Sequence, residues 1–130
     1  MTVLLADDSF LLRERLQDML GRFGQVRIAG SLHNGTEALQ ALRTLKPDLA
    51  IVDLKMPGLT GLEVLTEIRK EDLSLKFIIL TYYATDYFRQ MAMQAGADYF
   101  FSKIGDFEKL SLVVEAMLQK EGNIQPINNY

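Results

Sequence analysis

The chain has 130 residues, of which 48% are hydrophobic and 24% charged, so its length and composition fit one globular domain with a full core. It contains no cysteine, which excludes disulfides and thiolate metal sites and favours a cytoplasmic protein. Acidic side chains outnumber basic ones by 17 to 14, and no apolar run has the length of a membrane span. We therefore expect neither direct nucleic-acid binding nor membrane insertion.

Short apolar runs alternate with amphipathic segments along the chain. The runs have the length and composition of buried strands, and they lie at 3–6, 26–29, 49–52, 77–80 and 99–101. Apolar residues three and four positions apart predict helices around 12–20, 38–45, 62–68, 87–95 and 107–120. Strands that are apolar throughout and alternate with helices form a parallel sheet covered on both faces. The sequence thus predicts a doubly wound α/β fold of the (βα)5 type.

Residues that start or stop helices mark the predicted boundaries. Thr60 is placed to cap the third helix, Lys46-Pro47 closes the second, and Gly96 lies where the fourth should end. After the fifth helix the sequence becomes polar, contains Gly and Pro, and loses its helical periodicity. We predict a domain over residues 1–121 and a polar tail or linker stub over 122–130.

Polar side chains follow the predicted strands, at the sheet edge where doubly wound folds place their sites. Asp7-Asp8 follows the first strand, Asp53 the third, Thr81 the fourth and Ser102-Lys103 the fifth. Carboxylates brought together repel one another unless a cation lies among them, and oxygen ligands favour a hard ion such as Mg²⁺. Lys103 and Thr81 supply an ammonium and a hydroxyl for phosphoryl oxygens, which leaves Asp53 as the nucleophile of a phosphoryl transfer.

Each of these residues also has an ordinary structural explanation when it is considered alone. Aspartates at strand ends commonly cap helices or form turns, and Asp8 before Ser9 is placed to do so. Thr81 and Lys103 belong to residue types that are common at strand ends and on surfaces. Their joint placement is what indicates a site, whereas the single histidine, His33, has no second ligand beside it and is interpreted as a surface-loop residue.

The residues at the strand ends form a known pattern. They are Asp7-Asp8, Asp53 with Met56-Pro57-Gly58 and Gly61 behind it, Thr81 and Lys103. With them, nearly the whole chain, from Val3 to about Leu118, resembles the receiver domains of two-component response regulators. The resemblance implies a flavodoxin-like fold with a five-stranded parallel sheet in the order 2-1-3-4-5.

The resemblance also implies roles for the acidic residues. It makes Asp53 the acceptor of a phosphoryl group from a histidine kinase or phosphotransfer protein. Mg²⁺ is held by Asp8, Asp53 and the backbone carbonyl of Lys55, while Asp7 acts through water. Such a domain is a signalling phosphoacceptor rather than an enzyme, although it assists its own phosphorylation and dephosphorylation.

Receivers of this kind change one face when they are phosphorylated. Thr81 moves toward the phosphoryl group, the aromatic residue of the fifth strand, by position Phe100, moves with it, and the face of helix four, strand five and helix five is altered. Phe100 should point away from Tyr99 and Phe101, because strand side chains alternate. The segment around Asn34-Gly35 is closest in pattern to receivers that precede a helix-turn-helix output domain, so an output domain or downstream protein is the expected partner.

Several positions near the site are particular to this chain. Tyr82 is bulky where the family usually has a small residue, and we expect it to narrow access to Asp53. Lys55 and Tyr83 flank the path of attacking water, so we predict that they set the lifetime of the phosphoryl group. Exposed residues around Tyr83, Tyr87 and Phe88 are candidates for a phosphorylation-dependent homodimer. The alternative is that Tyr87 and Phe88 pack the fourth helix on the sheet.

Other classes of function compete with this prediction. A receiver-like interaction module that is never phosphorylated has the same fold, and Tyr82 leaves that alternative open. A Mg²⁺-dependent phosphohydrolase also uses an aspartate nucleophile, but its usual signature places two aspartates two positions apart, unlike Asp7-Asp8-Ser9. A nucleotide-binding domain is disfavoured because no glycine-rich phosphate loop follows the first strand.

Overall fold

A computed structural model describes residues 1–122 of the chain, in which strands and helices alternate. The strands are β1 (Thr2–Ala6), β2 (Arg27–Leu32), β3 (Leu49–Val52), β4 (Lys76–Thr81) and β5 (Tyr99–Ser102). The helices are α1 (Phe10–Leu20), α2 (Gly35–Leu45), α3 (Gly61–Arg69), α4 (Asp86–Ala95) and α5 (Phe107–Gly122). Every predicted element is present, which confirms the (βα)5 arrangement.

The strands form one parallel sheet in the order β2-β1-β3-β4-β5, as predicted. The strand order changes direction at β1, because β2 lies on one side of it and β3, β4 and β5 follow on the other. The reversal point is therefore between β1 and β3, whose last residues, Ala6 and Val52, are paired. In doubly wound folds, this reversal point opens a crevice at the carboxyl ends of the strands. The residues that follow Ala6 and Val52 are therefore those that line the crevice.

Apolar side chains cover both faces of the sheet. On one face, alternate strand residues such as Leu4 and Phe77 pack against α2, α3 and α4. On the other face, residues such as Leu5 and Ile78 pack against α1 and α5. Each large side chain buried in this way contributes about 1.5–3 kcal/mol relative to an exposed one. The double cover explains why the strands are apolar at consecutive positions rather than at alternate ones.

The predicted helix boundaries at α2, α3 and α4 are confirmed. Thr60 caps α3 in a capping box: its hydroxyl accepts a hydrogen bond from the Glu63 N–H at 3.1 Å, and the Glu63 carboxylate accepts one from the Thr60 N–H at 2.9 Å. Gly96 ends α4 in the left-handed conformation, with φ of 106°. Lys46 ends α2 in a similar conformation, with φ of 47°.

The carboxyl-terminal boundary of the domain remains a prediction. Helix α5 extends to Gly122, which is the first residue of the predicted tail, and residues 123–130 lie outside the described part of the chain. Within residues 1–122, no helix combines the length and the apolar character needed to cross a bilayer.

Candidate functional site

The carboxyl ends of β1 and β3 bring the predicted aspartates together. Carboxylate oxygens of Asp7, Asp8 and Asp53 lie within 4.8 Å of one another. Asp7 and Asp53 are buried, whereas Asp8 is exposed. Asp8 has no hydrogen bond or ion pair within residues 1–122, and Ser9 rather than Asp8 caps α1. The predicted acidic cluster is therefore present, with one carboxylate facing solvent.

The ammonium of Lys103 joins two of these carboxylates. Its Nζ lies 2.6 Å from Asp7 Oδ2 and 2.8 Å from Asp53 Oδ2, and its side chain is 3% exposed. Burial acts to lower the pKa of Lys103, but the hydrogen bonds and charges of Asp53 and Asp7 outweigh it and raise this pKa. Lys103 thus stays protonated, and one positive charge faces three carboxyl groups.

Both carboxylate oxygens of Asp7 contact other groups of the protein. Its Oδ1 accepts a hydrogen bond from the Ser9 N–H at 2.9 Å, while its Oδ2 contacts Lys103. Burial raises the pKa of Asp7 above its ordinary value, although the hydrogen bonds from Lys103 and Ser9 act to lower it. The Arg13 guanidinium also donates to the Asp7 backbone carbonyl. Asp7 is therefore a partner of Lys103 as much as a potential ligand.

Backbone contacts fix the position of Asp53. Its N–H donates to the Ala6 carbonyl at 3.0 Å, and its Oδ1 accepts from the Leu54 N–H at 2.7 Å. The first residue of α3, Gly61, donates its N–H to the Leu54 carbonyl at 2.9 Å. A Cβ atom added to Gly61 would lie 2.2 Å from the Asp53 carbonyl oxygen. Only glycine permits this approach of α3 to the end of β3.

Thr81 ends β4 and is completely buried. Its hydroxyl oxygen accepts a hydrogen bond from the Tyr83 N–H at 3.1 Å, and its carbonyl accepts one from the Lys103 N–H at 3.0 Å. In the sheet, Thr81 is paired with Ser102 at the end of β5. The backbone of Thr81 is thus linked directly to the backbone of Lys103, while the Thr81 hydroxyl is occupied by the Tyr83 N–H.

Two adjacent tyrosines lie beside lysines at the edge of the site. The Tyr82 ring centroid is 4.9 Å from Lys103 Nζ, and the Tyr83 ring centroid is 5.2 Å from Lys55 Nζ. These distances are those of cation–π contacts. Sequence reasoning singled out all four residues but missed their pairing, because the pairing depends on loop paths that have no local sequence signal.

Phe100 is buried among the residues that pack against α2, α3 and α4, whereas Tyr99 and Phe101 stack on each other with ring centroids 5.7 Å apart. Because Phe101 packs with the opposite cluster, the predicted alternation is confirmed. Arg89 of α4 donates a hydrogen bond to the Phe100 carbonyl at 2.9 Å, and its guanidinium lies 4.8 Å from the Phe100 ring centroid. Sequence analysis did not find Arg89, since a lone arginine on a helix has no distinguishing pattern.

The remaining sequence-based interpretations concern residues at the surface. His33 is exposed, with its Nδ1 3.9 Å from a carboxylate oxygen of Glu37, which agrees with a surface-loop role. Phe88 packs partly against the core, while Tyr87 is 65% exposed and meets Phe88 edge to face. Phe88 thus helps to pack α4 on the sheet, whereas Tyr87 lies at the surface.

Comparison with known proteins shows the family. The sequence model of the family described as the response regulator receiver domain matches residues 3–115 of the chain. The chain belongs to this family. It is 30% identical over 124 residues to the response regulator GacA of Pseudomonas aeruginosa, covering 95% of this chain and 58% of that protein. It is 31% identical over 97 residues to the nitrate/nitrite response regulator NarL of Escherichia coli, covering 75% of this chain and 45% of that protein.

Solved structures agree with this assignment. A DNA-binding response regulator of the LuxR family from Staphylococcus aureus superposes with a TM-score of 0.82 at 30% identity, covering 88% of this chain and 96% of that chain. The receiver domain described here spans about half the length of the curated relatives. The predicted fold, family and class of function, a receiver of two-component signal transduction, are confirmed.

Proposed function

We propose that Asp53 is the residue that accepts the phosphoryl group, with a histidine kinase or phosphotransfer protein as donor. The observation that carries this proposal is the buried Asp53 carboxylate, bonded to Lys103 at 2.8 Å and grouped with Asp7 and Asp8 at the reversal point of the sheet. A carboxylate is a competent nucleophile toward phosphorus, and the surrounding groups supply the positive charge and the oxygen ligands that phosphoryl transfer uses.

The transfer itself requires few groups. An Asp53 carboxylate oxygen forms a bond to phosphorus while the bond from phosphorus to the donor nitrogen of phosphohistidine breaks, and the leaving imidazole keeps the electron pair. The Lys103 ammonium stabilises charge on one phosphoryl oxygen, and the Thr81 hydroxyl donates to another. Leu54 holds the second Asp53 oxygen through its N–H, at 2.7 Å. The domain thereby assists its own phosphorylation and dephosphorylation without acting as an enzyme on another substrate.

The same residues fit a resident Mg²⁺ ion. We assign Asp8, Asp53 and the backbone carbonyl of Lys55 to it, with Asp7 acting through water. The donors are oxygens alone, and three carboxylates face one ammonium, as suits a hard divalent cation. Asp7 is already engaged with Lys103, whereas Asp8 is exposed, which favours the direct role for Asp8. When bound, the ion would reduce the repulsion between the Asp53 carboxylate and the phosphoryl group.

We further propose that Thr81 and Phe100 transmit phosphorylation to the face formed by α4, β5 and α5. If the Thr81 hydroxyl turns toward a phosphoryl oxygen, the Tyr83 N–H loses its acceptor and the β4–α4 loop changes with it. Phe100 is held in its present place by the Arg89 contacts with its ring and carbonyl. The domain would then exist in two states, the present one and one in which Thr81 and Phe100 have moved. Phosphorylation favours the second state only to the extent that the phosphoryl group makes better contacts there than in the first.

The partners follow from this proposal. The phosphodonor is a histidine kinase or phosphotransfer protein, and the receiver signals to an output domain or a downstream protein. Direct nucleic-acid contact by the receiver is disfavoured by its formal net charge of −3. We place the domain in the cytoplasm, where such donors act.

Intact mass after incubation with acetyl phosphate and Mg²⁺ tests the proposed function. The wild type should gain the mass of one phosphoryl group, and Asp53→Asn should gain none. EDTA should abolish the gain, since the proposed reaction requires Mg²⁺. A folded wild type without adduct would instead support the interaction module that is never phosphorylated.

A further inference from the structure

The buried Lys103 ammonium has three N–H donors and three close neighbours. Two neighbours are carboxylate oxygens, at 2.6 Å in Asp7 and 2.8 Å in Asp53. The third is the Tyr82 ring, whose centroid lies 4.9 Å from Nζ. An aromatic ring attracts a cation through its quadrupole and accepts no proton, so it adds to the positioning of the ammonium without competing for its charge.

Tyr82 itself lies at the surface. It is 63% exposed, yet the Lys103 side chain beneath it is 3% exposed. Tyr82 therefore covers the ammonium on the solvent side while contributing little to the core. A cation–π contact is stronger where water is excluded from the cation, as it is here.

We propose that Tyr82 is a positioning residue for phosphoryl transfer: its ring holds the Lys103 ammonium between Asp7 and Asp53, ready for the incoming phosphoryl group. This inference rests on the proposed function, because the position of Lys103 matters to the reaction only if Asp53 is phosphorylated. A charge that is fixed in advance stabilises the transition state without reorganisation at the moment of reaction. Tyr82 acts through Lys103 and needs no contact with the phosphoryl group.

A purely steric role for Tyr82 makes the opposite prediction. If the ring only narrows access to Asp53, every smaller side chain should speed phosphorylation and lower the donor concentration needed for half-maximal rate. If the ring positions Lys103, its loss should lower the maximal rate. Tyr82→Phe keeps the ring and removes the hydroxyl, whereas Tyr82→Leu keeps an apolar side chain and removes the ring. Comparing the two variants therefore distinguishes the electrostatic effect of the aromatic ring from the steric effect of side-chain size.

The first test measures the contact without any phosphorylation. In a folded protein, the ε-methylene protons of Lys103 should be shifted upfield by the ring current in the wild type and in Tyr82→Phe, but not in Tyr82→Leu. Tyr99→Leu is the matched control, because Tyr99 is also partly exposed but begins β5, at the opposite end of that strand from Lys103. Unchanged Lys103 shifts in Tyr82→Leu would overturn the proposal. Substitutions at so exposed a residue should leave the fold intact.

The second test measures the maximal rate of phosphorylation by acetyl phosphate. Tyr82→Phe should stay near the wild-type rate, and Tyr82→Leu should be about three- to tenfold slower, as expected for one cation–π contact. If the wild type is phosphorylated and Tyr82→Leu reacts at the same rate or faster, the positioning role of Tyr82 is overturned, whereas the proposed function of Asp53 stands. If the wild type takes up no phosphoryl group, the proposed function fails, and the positioning role fails with it.

Discussion

Among individual residues, Gly61 determines the position of Asp53, because it has no side chain. A Cβ there would lie 2.2 Å from the Asp53 carbonyl oxygen, so Gly61→Ala must push the start of α3 away from the end of β3. We expect a loss of about 1–3 kcal/mol in the free energy of unfolding, by overpacking, together with slower phosphorylation. Urea denaturation and the initial rate with acetyl phosphate measure the two effects.

Gly24→Ala provides the matched control for this change. A Cβ at Gly24 meets no atom within 4 Å, so its effect on stability should be within about 0.5 kcal/mol. Equal effects of the two substitutions would contradict the importance of the close approach at Gly61.

Lys55 and Tyr83 are the residues that we expect to control the lifetime of the phosphoryl group. Because their side chains contact each other across the edge of the site, at 5.2 Å from Nζ to ring centroid, either alanine substitution should admit water. We expect about two- to fivefold faster decay, the effect of one exposed cation–π contact. Acyl-phosphate half-lives in Lys55→Ala and Tyr83→Ala measure it, and unchanged half-lives in both variants would contradict it.

A double-substitution cycle shows whether the two residues act together. If they act through their mutual contact, Lys55→Ala combined with Tyr83→Ala should decay no faster than either single variant. Additive acceleration would instead mean that each residue excludes water independently.

At the scale of elements, Asp72 fixes the loop between α3 and β4. Its Oδ1 accepts hydrogen bonds from the Ser74 hydroxyl and N–H, each at 2.9 Å, and from the Leu75 N–H at 3.1 Å. The hydrogen bond from the Ser74 hydroxyl is the main cause that lowers the pKa of Asp72 below its ordinary value. The ionised carboxylate therefore stabilises the folded state more than the protonated one does.

This lowered pKa makes stability depend on pH in a defined direction. The contribution of Asp72 is complete above the unfolded pKa of about 4 and is lost as pH falls through the lower folded value. Asp72→Ala should reduce the free energy of unfolding by about 1 kcal/mol at neutral pH, like the loss of a helix cap. The difference from wild type should shrink below about pH 4, whereas a constant difference across this range would contradict the mechanism.

The elements show which features sequence can predict. Helices were predicted because apolar periodicity is local, and the site residues were predicted because the carboxyl ends of parallel strands share one edge. β2 was predicted to end at residue 29 but runs to Leu32, because Gly30 and Ser31 are poor strand formers and pairing with β1 decides their conformation. The Tyr82–Lys103 contact was missed for a different reason, since it joins two loops and depends on side-chain torsions.

Over the surface of the domain, α4 and the loop before it present an apolar stripe that suits pairing of two copies. Tyr87 and Met91 lie one helical turn apart on α4 and are 65% and 38% exposed, and Tyr83 in the loop before the helix is 49% exposed. If phosphorylation changes the β4–α4 loop, it also changes this stripe. We predict that phosphorylated chains elute earlier than unphosphorylated ones in size-exclusion chromatography, and that Tyr87→Ser prevents the shift. An identical elution volume in both states would rule out the switchable homodimer.

Chemical trapping identifies the residue that carries the phosphoryl group, which we propose to be Asp53. Borohydride reduces the acyl phosphate of an aspartate to homoserine, so the phosphorylated protein can be reduced, digested and mapped by peptide mass. We predict homoserine at position 53 in the wild type and at no position in Asp53→Asn. Homoserine at Asp7 or Asp8, or none in a protein that has gained one phosphoryl group, would contradict the assignment.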